Sequence, residues 1–157
     1  MNMADELLSS LRRRTDADLE PLADLWVASW REAMPDIDFS ARREWFCGHL
    51  PALEAAGAMT ICGRDDGGRL LGFVTFDPAT GYLDQIAVAR EAKGSGAAAA
   101  LLREARRISS KPLFLDVNQD NPRALRFYAR EGFEMVATGV NPHSGLKIWR
   151  LRAAPPG

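Results

Sequence analysis

The stretch Gln85-Ile86-Ala87-Val88-Ala89-Arg90-Glu91-Ala92-Lys93-Gly94-Ser95-Gly96-Ala97-Ala98-Ala99-Ala100-Leu101-Leu102 constrains this chain more than any other. Strand-forming residues run into a glycine-punctuated turn, and small residues then open a helix. A helix that begins on Gly-Ser-Gly leaves its first backbone N–H groups without helical acceptors. Those amides, with the positive end of the helix dipole, form a site suited to phosphate. The turn alone has several owners. A P-loop needs Gly-x-x-x-x-Gly-Lys-Ser/Thr, and no such run is present. Gly94 to Ala99 fits a permissive dinucleotide-binding pattern, but the N-terminal third reads as helical rather than as part of a repeated β-α-β array.

A length of 157 residues suits one domain with a core of its own. We place that domain at 1–152 and a flexible tail at 153–157. Leu8 to Arg14 reads as a first strand. A helix follows with Asp18 as N-cap and Pro21 in its first turn, and Leu22, Leu25, Trp26, Ser29 and Ala33 share one face. Met34-Pro35-Asp36 ends it. A second helix starts near Ser40 with Trp45, Phe46, His49 and Leu50 on its inner side, and Pro51 interrupts or restarts it. Met59 to Arg64 and Arg69 to Phe76 form a hairpin about Asp65-Asp66-Gly67-Gly68. Pro78-Ala79-Thr80-Gly81 is a turn before the strand Tyr82 to Val88. The Gly-opened helix runs to Ile108, and Leu113 to Val117 is the next strand. Asn121 caps a helix with Pro122 at its first position and Gly132 just past its end. Phe133 to Val140 and Leu146 to Leu151 are the last strands. The order is β-α-α-β-β-β-α-β-α-β-β, an α/β fold with a mostly antiparallel mixed sheet and a parallel crossover about the Gly-opened helix.

The formal net charge of −1 offers no basic field for nucleic acid, and Arg12-Arg13-Arg14 reads as solvated edge charge. No apolar run approaches the ~20 residues of a membrane span. The polar N-terminus lacks a signal-peptide core, so we expect a cytoplasmic protein. Cys47 and Cys62 read as buried free thiols. With His49 and His143 the only histidines, no metal site is expected.

A second motif follows the turn: Asn121-Pro122-Arg123-Ala124-Leu125-Arg126-Phe127-Tyr128-Ala129-Arg130-Glu131-Gly132-Phe133. Together the two segments resemble the GNAT superfamily of acetyl-CoA-dependent N-acetyltransferases. There a strand ending like Ile86-Ala87-Val88 leads into Arg/Gln-x-x-Gly-x-Gly/Ala, and Asn-x-x-Ala-x-x-Phe-Tyr-x-x-x-Gly-Phe follows. Asn121, Ala124, Phe127, Tyr128, Gly132 and Phe133 stand in that register. Leu71-Gly72-Phe73-Val74 precedes them. The resemblance is clear from about Leu70 to Phe133. It implies the GNAT fold, with about seven strands flanked by about four helices. One departure stands out. Glu91 takes the place of the family's Arg/Gln, and Ala92 that of a glycine. Glu91 would repel a phosphate if it pointed inward, although Lys93 can offset it. Weaker cofactor affinity is the expectation.

The resemblance implies acetyl transfer from acetyl-CoA to a primary amine in a ternary complex, with no covalent cysteine intermediate. Ile86, Ala87 and Val88 would line the pantetheine arm as an added strand would, and the Val88 N–H would stabilise the oxyanion. Amides of Lys93, Gly94, Ser95, Gly96, Ala97 and Ala98 would hold the pyrophosphate, and Asn121 would hydrogen-bond the cofactor. Tyr128 matches the general acid that protonates the leaving thiolate, against the plainer reading of a core aromatic. The attacking amine must also lose a proton. Asp84, two residues before Ile86 on the same strand face, and Asp116, inside an apolar strand, are the carboxylates available; a water relay is the alternative. His49 and His143 could touch the acceptor. Trp30, Trp45 and Phe46 could wall its pocket or simply fill the core. The acceptor itself is not legible. Another acyl-CoA donor, or a CoA-sensing member without turnover, are the rival readings. Many relatives pair through their C-terminal strands, and this sequence does not decide whether a homodimer forms.

Overall fold

The computed structural model describes residues 8–33, 35–36, 38, 40–142 and 144–154. The chain runs β1 (Ser10–Arg13), α1 (Leu19–Ala33), α2 (Ser40–Ala55), β2 (Met59–Arg64), β3 (Leu70–Phe76), β4 (Leu83–Val88), α3 (Ala97–Ile108), β5 (Phe114–Asn118), α4 (Pro122–Arg130), β6 (Phe133–Val140) and β7 (Lys147–Ala153). Single 3-10 turns occupy Asp16–Asp18 and Arg90–Ala92. The order is the one the sequence predicts.

The strands form two antiparallel sheets, β1-β2-β3-β4 and β5-β7-β6. Among the described residues a single parallel bridge, between Tyr82 and Phe114, links them, with the Phe114 N–H donating to the Gly81 carbonyl at 2.9 Å. The expected parallel crossover is thus reduced to one bridge, after which β4 and β5 part. Gly81 makes the junction possible. Its φ of +87° belongs to glycine, and a Cβ there would press into the Pro112 carbonyl oxygen.

Side-chain alternation assigns the two faces of the first sheet. Ile61, Val74, Phe76 and Leu83 pack with Leu101, Leu102 and Ala105 of α3, Leu115 and Val117 of β5, and Tyr128 of α4. Cys62 and Phe73 pack on the other face with Leu22, Ala23, Trp26 and Val27 of α1 and Phe46 and Leu50 of α2. A buried Thr60–Thr75 hydroxyl pair at 2.9 Å also satisfies its own polar groups between β2 and β3.

Local chemistry explains the element ends. Asn121 Oδ1 accepts from the Ala124 N–H at 3.2 Å, and Pro122 sits where its missing donor is harmless. Asp65 Oδ1 accepts from the Gly67 and Arg69 N–H groups at 3.0 and 2.9 Å, which closes the β2–β3 turn. Four expectations shift. Asp18 is not the cap of α1: its carboxylate reaches back to the Thr15 N–H at 2.8 Å and pairs with Arg64. Pro51 neither breaks nor restarts α2, which runs through it. β5 begins one residue later than read, at Phe114. Ala153 is buried in β7 and the Ala154 N–H donates to Gly132, so the two residues that open the expected tail are tied down; 155–157 lie outside the described residues, as do Met34 and His143.

Candidate active site

Beyond the bridge at Tyr82, β4 pairs with β3 on one side and, among the described residues, with no strand on the other. That leaves a row of unpaired backbone groups beside Asp84 to Val88, open for an extended ligand to add itself as a strand. At the end of this edge the chain turns through Gly94 (φ +77°) and Gly96 (φ +91°) into α3. Gly96 is the N-cap and offers no side chain to the first helical amides. A Cβ on Gly94 would meet open space, so it is the backbone conformation rather than crowding that calls for glycine there.

The turn uses some of its own donors. The Lys93 N–H goes to the Arg90 carbonyl and the Ser95 N–H to Ala92, both at 3.2 Å. The Ala97 N–H goes to Ser95 Oγ at 3.3 Å. Among the described residues no hydrogen bond engages the N–H groups of Gly94, Gly96, Ala98 or Ala99, the last two because the first turn of a helix has no acceptors of its own, so these donors are left to an incoming anion. Of the six residues expected to hold a pyrophosphate, alternate ones therefore keep an available amide.

Glu91 is turned to solvent and paired with Arg69 on the β2–β3 turn. Lys93, expected to offset it, pairs instead with Glu32 of α1 at 3.2 Å. The charge that could have opposed phosphate is balanced by an arginine that no motif in the sequence marks.

On the opposite face lies a second cluster. In the β3–β4 register Thr75 faces Gln85 while Phe76 faces Leu83, so Asp84 is an extra, bulged residue. The bulge shifts the alternation by one. Leu83 joins the face of α3, whereas Gln85 accepts from the Trp26 indole N–H of α1 at 3.2 Å. Asp84 reaches His49 of α2, Oδ2 to Nε2 at 3.1 Å. The expectation that Asp84 shares a face with Ile86 is therefore wrong: Ile86 packs with the α3 face. The bulge breaks the period-two rule on which that expectation rested. His49 is stacked under Trp45, with centroids 4.3 Å apart and planes at 17°. Trp45 is 52% exposed and leans on Trp26, whereas Phe46 is a core residue. Trp30 packs against the same core.

Asp116, the other carboxylate singled out, is gripped by Arg150 across the β5–β7 pair, at 2.9 and 3.2 Å. That bidentate contact ties up both oxygens. Both acids act on Tyr82, whose phenol is pushed up by burial and further by Asp84 and Asp116.

Tyr128 is buried in the cluster that holds Leu115 and Val117 of β5 and against which Ile86 and Val88 of β4 pack. Phe127 and Phe133 meet its ring edge-on. Burial pushes its phenol well up, so it stays protonated through neutral pH. Asn121 spends its side-chain oxygen on the cap of α4, which leaves its amide N–H groups as donors. Burial pushes the Cys62 thiol up to about 12, which makes it inert as a nucleophile. Among the described residues no group of three His, Cys, Asp or Glu side chains could hold a metal ion, and no helix is long and apolar enough to cross a membrane.

Comparison with known proteins fits this geometry. The acetyltransferase (GNAT) family model matches residues 19–133. Among solved structures, a histone acetyltransferase HPA2 and related acetyltransferase from Corynebacterium glutamicum aligns with a TM-score of 0.76 at 19% identity, over 96% of this chain and 98% of its own. The PaiA N-acetyltransferase from Thermoplasma acidophilum, in complex with coenzyme A, gives 0.70 at 19% identity over 90% and 96%. The spermidine/spermine N-acetyltransferase SpeG from Vibrio cholerae gives 0.66 at 21% identity over 96% and 93%. None of the curated proteins compared matches the sequence.

Proposed function

This chain belongs to the acetyltransferase (GNAT) family, and from that premise we propose that it moves the acetyl group of acetyl-CoA directly to a primary amine. The observation that carries this reading is the free edge of β4 ending in the Gly94–Gly96 turn. The edge beside Ile86, Ala87 and Val88 suits a pantetheine arm, whose amides hydrogen-bond as a strand's do. The turn suits a pyrophosphate, with the N–H groups of Gly94, Gly96 and Ala98 as donors. Lys93, Ser95 and Ala97 shape the turn. Asn121 offers a further donor.

The chemistry divides between the two faces. The amine's lone pair attacks the thioester carbonyl carbon, and the Val88 N–H stabilises the oxyanion. The C–S bond then breaks and Tyr128 gives its proton to the departing thiolate. On the far face, Asp84 marks where the acceptor's ammonium is received and loses its proton. Asp116, already held by Arg150, is the weaker choice. The indoles beside Asp84 suit a cation. SpeG's name makes spermidine a sensible first acceptor to try. The reading extends to a homodimer through β6, where Met135, Val136 and Val140 lie exposed.

Thermal unfolding with acetyl-CoA, desulfo-CoA, ATP and NADH in parallel tests it. A ligand at a hundredfold excess over Kd should add about 2.7 kcal/mol. A rise in Tm with the two CoA compounds alone, followed by amine-dependent thiol release, is the expected result. No rise with either would end the transferase reading.

A further inference from the structure

We infer that His49, held by Asp84, is the base that takes the proton from the acceptor amine. This rests on the transferase reading above and names the group that takes the proton which that reading locates at Asp84. Three observations converge. The bulge in β4 turns Asp84 away from the α3 face and onto α2. There its Oδ2 lies 3.1 Å from His49 Nε2, with 15% and 26% of the two side chains exposed. The His49 ring is fixed in plane by Trp45. A carboxylate on one ring nitrogen sets the tautomer: Nε2 carries the proton and donates to Asp84, and Nδ1 presents a lone pair. Among the described residues no hydrogen bond engages Nδ1. Imidazole is also the side chain most often used as a general base near neutral pH.

The protons balance as follows. A bound ammonium gives one proton to His49 Nδ1, forming an imidazolium that Asp84 stabilises and that then releases this proton to water. The free amine attacks, and the C–N bond forms. The nitrogen sheds its second proton to solvent as the C–S bond breaks. The thiolate takes a proton from Tyr128, which is restored from solvent. Asp84 is thus a positioning residue and His49 the catalytic one.

The test has two arms, both on the full chain. With only two histidines present, a nitrogen-15 spectrum assigned with His49→Gln reads the neutral His49 tautomer directly. Protonated Nε2 with bare Nδ1, altered in Asp84→Asn, is expected; an Nδ1–H tautomer overturns the inference. In the second arm thiol release from acetyl-CoA is followed with spermidine, which is protonated at neutral pH, and with hydroxylamine, which is not. His49→Gln should lower kcat about a hundredfold or more with spermidine and only a few-fold with hydroxylamine, with Asp84→Asn in between. Equal losses with both acceptors would make His49 merely structural and overturn the inference while leaving the transferase reading intact. No release by the unaltered protein with either acceptor would overturn both.

Discussion

At the residue scale, the decisive side chains are those whose surroundings fix one protonation state or one partner. Burial keeps the Tyr128 phenol protonated and its aromatic neighbours hold the ring. Tyr128→Phe should therefore cost about a hundredfold or more in kcat, within the usual range for a lost general acid, while acetyl-CoA affinity changes little. An unchanged kcat by thiol release would reduce Tyr128 to a core aromatic. Glu91 gives the opposite lesson. Read as a phosphate-repelling departure from the family, it is neutralised by Arg69. Arg69→Ala should free that charge beside the turn and raise the Kd for acetyl-CoA several-fold, and Glu91→Gln in the same chain should restore it. Calorimetric titration of the two variants checks this, and an affinity indifferent to Arg69 would remove the pair from the account.

At the scale of elements, the proposed function depends on a sheet made not to close. Gly81 brings β4 and β5 to a single bridge, and the bulge at Asp84 follows at once. Bulges bend and twist the strand that carries them, so the opening and the redirected carboxylate share one local cause. Gly81→Ala would force a side chain into left-handed backbone and against the Pro112 carbonyl. A loss of about 2–3 kcal/mol or more is expected, read as a lower urea midpoint. Unchanged stability would mean the junction tolerates rearrangement. The far end of α3 is secured differently. Arg106 donates to the Glu131 carbonyl at 2.9 Å and to Ala154 at 3.3 Å, and lies over the Phe133 ring. One side chain thus ties α3 to the end of α4 and the end of β7.

At the scale of the whole molecule, ion pairs join the N-terminal elements to the first sheet. Glu54 of α2 holds Arg14, next to the end of β1, at 2.5 Å in a half-buried pair. Asp18 holds Arg64 at the end of β2. Burial by itself would raise the Asp18 carboxyl, but the Thr15 backbone N–H and the Arg64 charge outweigh it and hold it below its ordinary range. A carboxylate lowered in the folded state stabilises the fold above the unfolded value of about 3.9, and that contribution is lost as pH falls through the folded value. Urea midpoints should therefore drop between about pH 5 and pH 2, and Asp18→Asn should flatten part of that fall; an identical slope would assign the acid sensitivity elsewhere. The element order, the caps at Asn121 and Pro122, and the glycines of the turn were legible in the sequence because each is a local preference read over a few residues. The family was legible too, since its two motifs lie on contiguous chain. The bulge at Asp84, the Asp84–His49 contact, the Arg69–Glu91 pair and the clasp of Arg150 on Asp116 were not. Each joins residues far apart in sequence, and a one-residue slip in strand register, invisible to any periodicity, decides which face a side chain reaches.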